Sequence, residues 1–213
     1  MDELELLKKD WSTREQKHPR LSYNDIYNML FKRSTSIVKW IFIISIGELL
    51  LWTGLSLLTP KSSIEVLEKL GAIQFLWVTN IIHYLVFITF IYLFYKNYKT
   101  IKVTDSTKQL MVSIIKTRKT VKYFVIYNVV AFALILIFIT LLYYIKSDVL
   151  LDIIAEQYGP VVETSSFLTY FFVIQVVFGL IMLGLLLLFY RLVYGILLRK
   201  LKKNHKELEK IEV

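Results

Sequence analysis

Cysteine is absent from the 213 residues. That excludes disulfides, thiolate metal sites and cysteine nucleophiles, and leaves the redox compartment unspecified. Histidine is scarce. His18, His83 and His205 fall in a linker, an apolar block and a tail, so they do not readily converge as metal ligands. No metal or cofactor is expected. Nucleotide-binding glycine loops, G-x-S-x-G, H-E-x-x-H and calcium-loop spacings are also missing, which argues against a conventional catalytic centre. The alternating pattern of a membrane barrel is missing too.

Charge is nearly absent from four long stretches. The chain is 56% hydrophobic with a mean hydropathy of +0.55, too apolar for an ordinary soluble domain, although charged residues still make up 20%. The apolar blocks cover 38–58, 73–95, 123–145 and 167–190. Each is long enough to cross a hydrocarbon core of about 30 Å at about 1.5 Å per residue. Backbone groups in lipid need internal partners, so the blocks are expected to be helices. The sequence predicts an all-α integral membrane four-helix bundle. The first block starts only at Val38, behind a mixed-charge segment, which is unlike a cleavable export signal.

Basic residues decide the expected orientation. Of 26 Lys and Arg, 23 lie in 1–39, 96–122 and 191–213, while the loops 59–72 and 146–166 carry 2 and 1. The positive-inside rule makes the basic side cytoplasmic and puts both termini there, as in a multi-pass protein of a bacterial inner membrane. Trp40, Tyr95, Tyr123, Tyr127, Tyr190 and Tyr194 fall near that boundary, where amphipathic rings settle. The net charge of +9 is then expected to meet anionic lipid headgroups. A nucleic-acid partner is not expected, because no recognition motif accompanies the charge.

Three regions follow: cytoplasmic amphipathic helices in 1–36, the four-span domain in 37–190, and a basic helical tail in 191–213. "ELELLKKDW" places Leu4, Leu7 and Trp11 on one helical face. Ser22 and Asp25 form a capping-box pattern, with Leu21 and Ile26 spaced for a hydrophobic staple. Asp105 or Ser106 is placed to cap a helix whose face carries Leu110, Met111, Ile114 and Ile115. Leu197, Leu201, Asn204, Leu208 and Ile211 form a short heptad seam with one polar core position. Together with Leu4, Leu7 and Trp11, this seam is the expected cytoplasmic interaction face for a protein partner or a second copy.

On the opposite side, Ser62, Glu65 and Gly71 mark one short amphipathic helix, and Ser147, Gly159 and Pro160 mark another. Two short matches between the halves have two readings, a duplication or the common preference of span boundaries for aromatics beside Lys or Arg. "VKWIF" (38–42) parallels "VKYFV" (121–125), and "LFYK" (93–96) parallels "LFYR" (188–191), as expected of a parallel duplication about an axis along the membrane normal.

Glu48 and His83 each lie about halfway along a span, and neighbouring antiparallel helices would bring them to one level. An ionised group at mid-depth costs about 2.5–3.5 kcal/mol on insertion scales, so a Glu48–His83 hydrogen bond is expected. Asn80, Asn128 and Gln175 are secondary polar positions. The plainer reading is interhelical hydrogen bonding worth about 0.6 kcal/mol. Gly47, Gly54, Gly179 and Gly184 permit close helix approach, without the G-x-x-x-G spacing.

"MDELELLKKDW", "LSYNDIYNML" and "STSIVKWIFIISI" resemble the corresponding stretches of a group of uncharacterised four-span bacterial inner-membrane proteins, some of them automatically labelled beta-carotene cleaving monooxygenases. The resemblance covers the whole chain and implies the four-span architecture. The label implies chemistry on an apolar, isoprenoid-type substrate. Soluble carotenoid-cleaving enzymes hold iron with four histidines on a propeller, and this chain has three histidines and no strand pattern. The favoured expectation is a non-enzymatic membrane protein whose cytoplasmic helices bind a partner or self-associate. The alternatives are a small transporter or proton-coupled component using Glu48 and His83, and a membrane enzyme acting on an apolar substrate.

Overall fold

The computed structural model describes residue 5 and residues 22–102, 104, 106–159 and 164–212. The Leu4, Leu7 and Trp11 face, Leu21, Asp105 and Pro160 lie outside the described residues. Six helices follow in order: α1 (Tyr23–Leu57), α2 (Lys61–Lys69), α3 (Ile73–Lys102), α4 (Thr107–Ile145), α5 (Ser147–Tyr158) and α6 (Thr164–Glu212). No strand occurs among the described residues. α1, α3, α4 and α6 are long and apolar enough to cross a membrane, which makes this an all-α, multi-pass membrane protein. α1 and α6 run unbroken across residues 37 and 190, so the expected region borders are not structural breaks.

Local chemistry sets the helix ends. Ser22 Oγ accepts from the Asp25 N–H at 3.2 Å, and Asp25 Oδ2 accepts from the Ser22 N–H at 3.1 Å, completing the capping box. The Ser22 hydroxyl, which donates to Asp25 Oδ2 at 2.8 Å, and then the Ser22 N–H hold the exposed Asp25 carboxyl below its usual range. Ser106 Oγ accepts from the Gln109 N–H at 3.3 Å and starts α4. α2 stops at Gly71, whose φ of +71° favours glycine. The Gly71 N–H donates to Glu68 O and the Ala72 N–H to Leu67 O, the paired bonds of a Schellman turn. Lys146 Nζ donates to Leu70 O at 2.8 Å, tying that helix end to the start of α5. Neither α2 nor α5 takes a side-chain cap, so Ser62 and Ser147 are ordinary first-turn residues.

The short helices meet at one end of the bundle. Lys69 Nζ donates to Glu156 Oε2 at 2.6 Å. That bond, and then the lysine charge, lowers the Glu156 pKa, so this exposed link is lost only as the pH falls below the ordinary glutamate value of 4.5. The opposite end carries the lysine-rich helix extensions.

Around the bundle, α1 touches α3, α3 touches α4, α4 touches α6 and α6 closes on α1, while α1 and α4 also meet across the diagonal. Each half is therefore long helix, short helix, long helix. One spacing of buried residues occurs in both halves: Ser34, Val38, Ile41 and Ser45 on α1, and Thr117, Val121, Phe124 and Asn128 on α4. The second pair of helices differs. Phe94 is fully buried, but Phe189, its counterpart by motif, is 40% exposed, and Tyr190 takes the inward position instead.

Packing is unequal along the bundle. Buried side chains run from the lysine-rich end up to Glu48 on α1, Phe87 on α3, Asn128 on α4 and Leu186 on α6. Beyond that level no described side chain is buried until Leu70, Ala72, Leu150 and Ile153 at the short-helix cap. Gly179 alone permits close approach there, with Leu136 at 3.4 Å from where a Cβ would sit; Gly47, Gly54 and Gly184 face open space, contrary to the sequence expectation. Half of the bundle is a dry core and half is loosely filled.

The heptad seam lies inside this core. Leu201, Asn204 and Leu208 are fully buried, Leu197 and Ile211 pack on the same cluster, and Asn204 Nδ2 donates to Ser34 Oγ at 3.0 Å. An interaction face was expected, but the extended α1 and α4 already cover it, because all four helices continue together beyond the apolar blocks.

Three substitutions test the packing and the α2 stop. Leu201→Ala should lower unfolding stability in detergent by about 2–5 kcal/mol, whereas Leu192→Ala, 53% exposed on the same helix, should change it by less than about 0.5 kcal/mol. Gly71→Ala should cost about 1–2 kcal/mol from its positive φ, read as a lower midpoint in the same denaturation.

Candidate functional site

α1 carries Glu48 at the upper limit of the dry core, only 4% exposed. α6 presents Tyr190 and Tyr194 one helical turn apart on a single face, buried at 3% and 1%. The Tyr190 hydroxyl donates to Glu48 Oε1, and the Tyr194 hydroxyl donates to Oε2 at 2.9 Å. Trp52, one turn further along α1, lies beside the same carboxyl. Among the described residues, no Lys, Arg or His is within ion-pair distance of Glu48. Two neutral donors hold this acid without a counter-charge.

His83 has a different partner. Its ring stacks on Tyr127 with centroids 5.8 Å apart, and the Tyr127 hydroxyl sits 3.4 Å from Nδ1, a long contact. The expected Glu48–His83 hydrogen bond is therefore not formed. Chain neighbours suggested it, but α1 also borders α6, where the tyrosine pair offers one donor to each carboxylate oxygen.

Below this level, Phe124 of α4 is the aromatic hub. It meets Phe87, Phe90 and Phe94 of α3 edge-on at 5.1, 5.3 and 5.4 Å, and Tyr194 of α6 at 5.7 Å. Edge-to-face pairs each add about 0.5–1.5 kcal/mol beyond their buried area. The cluster seals the site from the lysine-rich end.

Above it lie two adjoining spaces. A cavity of about 240 Å³ is lined by Trp52, Asn80, His83, Tyr84, Asn128 and Tyr190 among apolar side chains. A lateral cleft of about 580 Å³ lies between α1 and α6, and Glu48 is the ionisable residue in its apolar lining. Trp52, Phe132 and Leu186 border both. Thr53 and Tyr84 hydroxyls, 3.1 Å apart, pin α1 to α3 beside the cavity.

The structure thus gathers His83, Asn80 and Asn128 around one space and links Glu48 to it through Tyr190. Gln175 stands apart: Nε2 reaches Thr140 Oγ1 at 3.5 Å, and its buried Oε1 has no partner among the described residues. Asn128 Nδ2 donates to Phe124 O of its own helix at 2.8 Å. Among the described residues, no three His, Asp or Glu side chains come together as a metal-binding group.

Tyr190 and Tyr194 were expected in an interfacial belt, yet they are core residues; Trp40, Tyr95 and Tyr123 are exposed at 55%, 45% and 54%. Their i, i+4 spacing was the available signal, since it puts two hydroxyls on one face. Trp52 had no such signal.

A double-mutant cycle separates the two pairings. Glu48→Gln with Tyr190→Phe should show a coupling above about 0.5 kcal/mol in detergent unfolding, and Glu48→Gln with His83→Ala should add to within about 0.5 kcal/mol.

Comparisons with known proteins add the family. No curated protein matches the chain, and no solved structure matches it. Residues 24–213, covering every helix described above, match a family model described as a domain of unknown function, DUF8845. The chain belongs to the DUF8845 family.

Proposed function

We propose that the protein is a small proton-coupled membrane component in which Glu48 binds and releases a proton, seated in a bacterial inner membrane with both chain ends cytoplasmic. The observation that carries this reading is a buried carboxyl on a membrane-spanning helix with two tyrosine hydroxyls and no basic partner among the described residues. An ionised carboxylate in such surroundings is costly, and two neutral hydrogen bonds offset only part of that cost. Carrying its own proton removes the charge. One tyrosine hydroxyl then turns to accept from the carboxyl while the other continues to donate, since phenolic hydroxyls do both.

His83 supports the same reading. It lines the cavity that Tyr190 also lines, so a titratable imidazole borders the same space as the tyrosine that holds Glu48. The Phe124 cluster blocks the way toward the lysine-rich end, so this cavity is the polar exit from the carboxyl. The basic distribution supports the orientation, with anionic headgroups against the lysine-rich ends. Partner binding is the second reading; the amphipathic spacing of Leu4, Leu7 and Trp11 supports it, since Leu201, Asn204 and Leu208 are occupied internally.

A hydrophobic carbodiimide tests the proton site, because the reagent partitions into the bilayer and modifies protonated carboxyls. Peptide mapping should find the adduct on Glu48, with labelling that declines as the pH rises and disappears in Glu48→Gln. Labelling of exposed acids with none on Glu48 would overturn the proposal.

A further inference from the structure

We infer that the cleft between α1 and α6 binds a lipophilic cation that displaces the Glu48 proton. The inference rests on the proton-site reading and names the ligand class for that site. Four observations converge. First, about 580 Å³ is within the size range of small-molecule sites. Second, the charge is complementary to a cation: Glu48 lines the cleft, and no Lys or Arg lines either space. An anion would meet the carboxylate without compensation.

Third, the aromatic lining suits a cation. Trp52, Phe132 and Phe189 line the cleft, and Tyr190 lies behind Glu48. Aromatic faces attract cations by about 0.5–2 kcal/mol each, more strongly where water is excluded. Fourth, the cleft has an open side. Nothing stands within 4 Å of where a Cβ on Gly47 would sit, and Leu51 and Leu185 beside it are 57% and 53% exposed. A hydrophobic solute in the surrounding lipid enters the cleft from this side and meets Glu48, largely buried, in its wall.

The exchange balances. The Glu48 O–H bond breaks, the proton leaves past the Tyr190 hydroxyl into the cavity and on to water, and the carboxylate pairs with the arriving cation. One positive charge enters for each proton that leaves. The titratable groups around the acid are Tyr190 and Tyr194 from α6 and, across the adjoining cavity, His83 and Tyr84 from α3, with Tyr127 of α4 against His83. A protonated His83 would repel the cation, so acid opposes binding at both groups.

Tetraphenylphosphonium and tetraphenylborate, nearly the same shape with opposite charge, provide the test on the full-length protein in detergent. Calorimetric titration in two buffers of different ionisation enthalpy reads affinity and proton release together. The cation should bind once per chain and release about one proton, tightening up to about tenfold per pH unit while Glu48 is protonated. The borate should not bind. Glu48→Gln should abolish cation binding. Gly47→Leu, which fills the cleft without touching the acid's hydrogen bonds, should weaken it at least tenfold yet leave carbodiimide labelling of Glu48 intact. Labelled Glu48 with no cation binding overturns the cation inference and leaves the proton reading standing. Equal binding of the two ions, or cation binding retained in Gly47→Leu, overturns the cation inference as well. An unlabelled Glu48 overturns both.

Discussion

One unpaired acid organises the middle of this protein. Glu48 sits inside a membrane-spanning helix where an ionised group is costly, and the bundle meets that constraint with two tyrosine hydroxyls from α6. The consequence reaches the helix packing. On α6, Tyr190 and Tyr194 face inward, while Phe189 is 40% exposed. Lipid offers no hydrophobic driving force between spans, so interhelical hydrogen bonds and close contacts must hold them together. The Glu48–tyrosine cluster and the Phe124 aromatic hub next to it supply both, joined through Tyr194 near the depth of Glu48.

That depth divides the molecule. Toward the lysine-rich end, four helices continue together as a dry bundle, with Ile114, Leu201 and Leu208 fully buried and Asn204 bonded to Ser34. Such an Asn in an apolar seam fixes register at some expense of stability. Toward the short helices no described side chain of the spans is buried, ring pairs such as Phe75–Phe138 and Tyr143–Phe171 join neighbouring helices, and the cavity and the lateral cleft lie between the spans. The α2–α5 cap, with Lys69–Glu156 and Lys146–Leu70, ties the loosely packed ends without filling the interior. A closely packed half adjoins a half with open space between its spans.

Much of the fold was legible in the sequence. Hydrocarbon thickness sets span length, and the helix ends at Leu57, Ile73 and Ile145 fall within a residue of the apolar-block borders. The Ser22–Asp25 box and the Gly71 stop were legible because capping depends on neighbouring residues. Pairing across the bundle was not. Depth along two spans placed Glu48 and His83 at comparable levels, but the rotation of each helix decides which side chains face each other, and that depends on packing by all four helices. The same limit applied to Leu201 and Leu208: an apolar stripe announces burial, not whether this chain or another covers it. Tyr190 and Tyr194 looked interfacial by position and proved to be the acid's partners.

The central claim is that Glu48 holds its own proton within the bilayer at neutral pH. Infrared difference spectroscopy of the reconstituted protein across an acid-to-alkaline titration reads that proton directly. The account predicts a protonated-carboxyl C=O band at neutral pH that fades on alkalinisation, shifts in Tyr190→Phe and is missing in Glu48→Gln. A neutral-pH spectrum in which Glu48→Gln removes only a carboxylate band would contradict it.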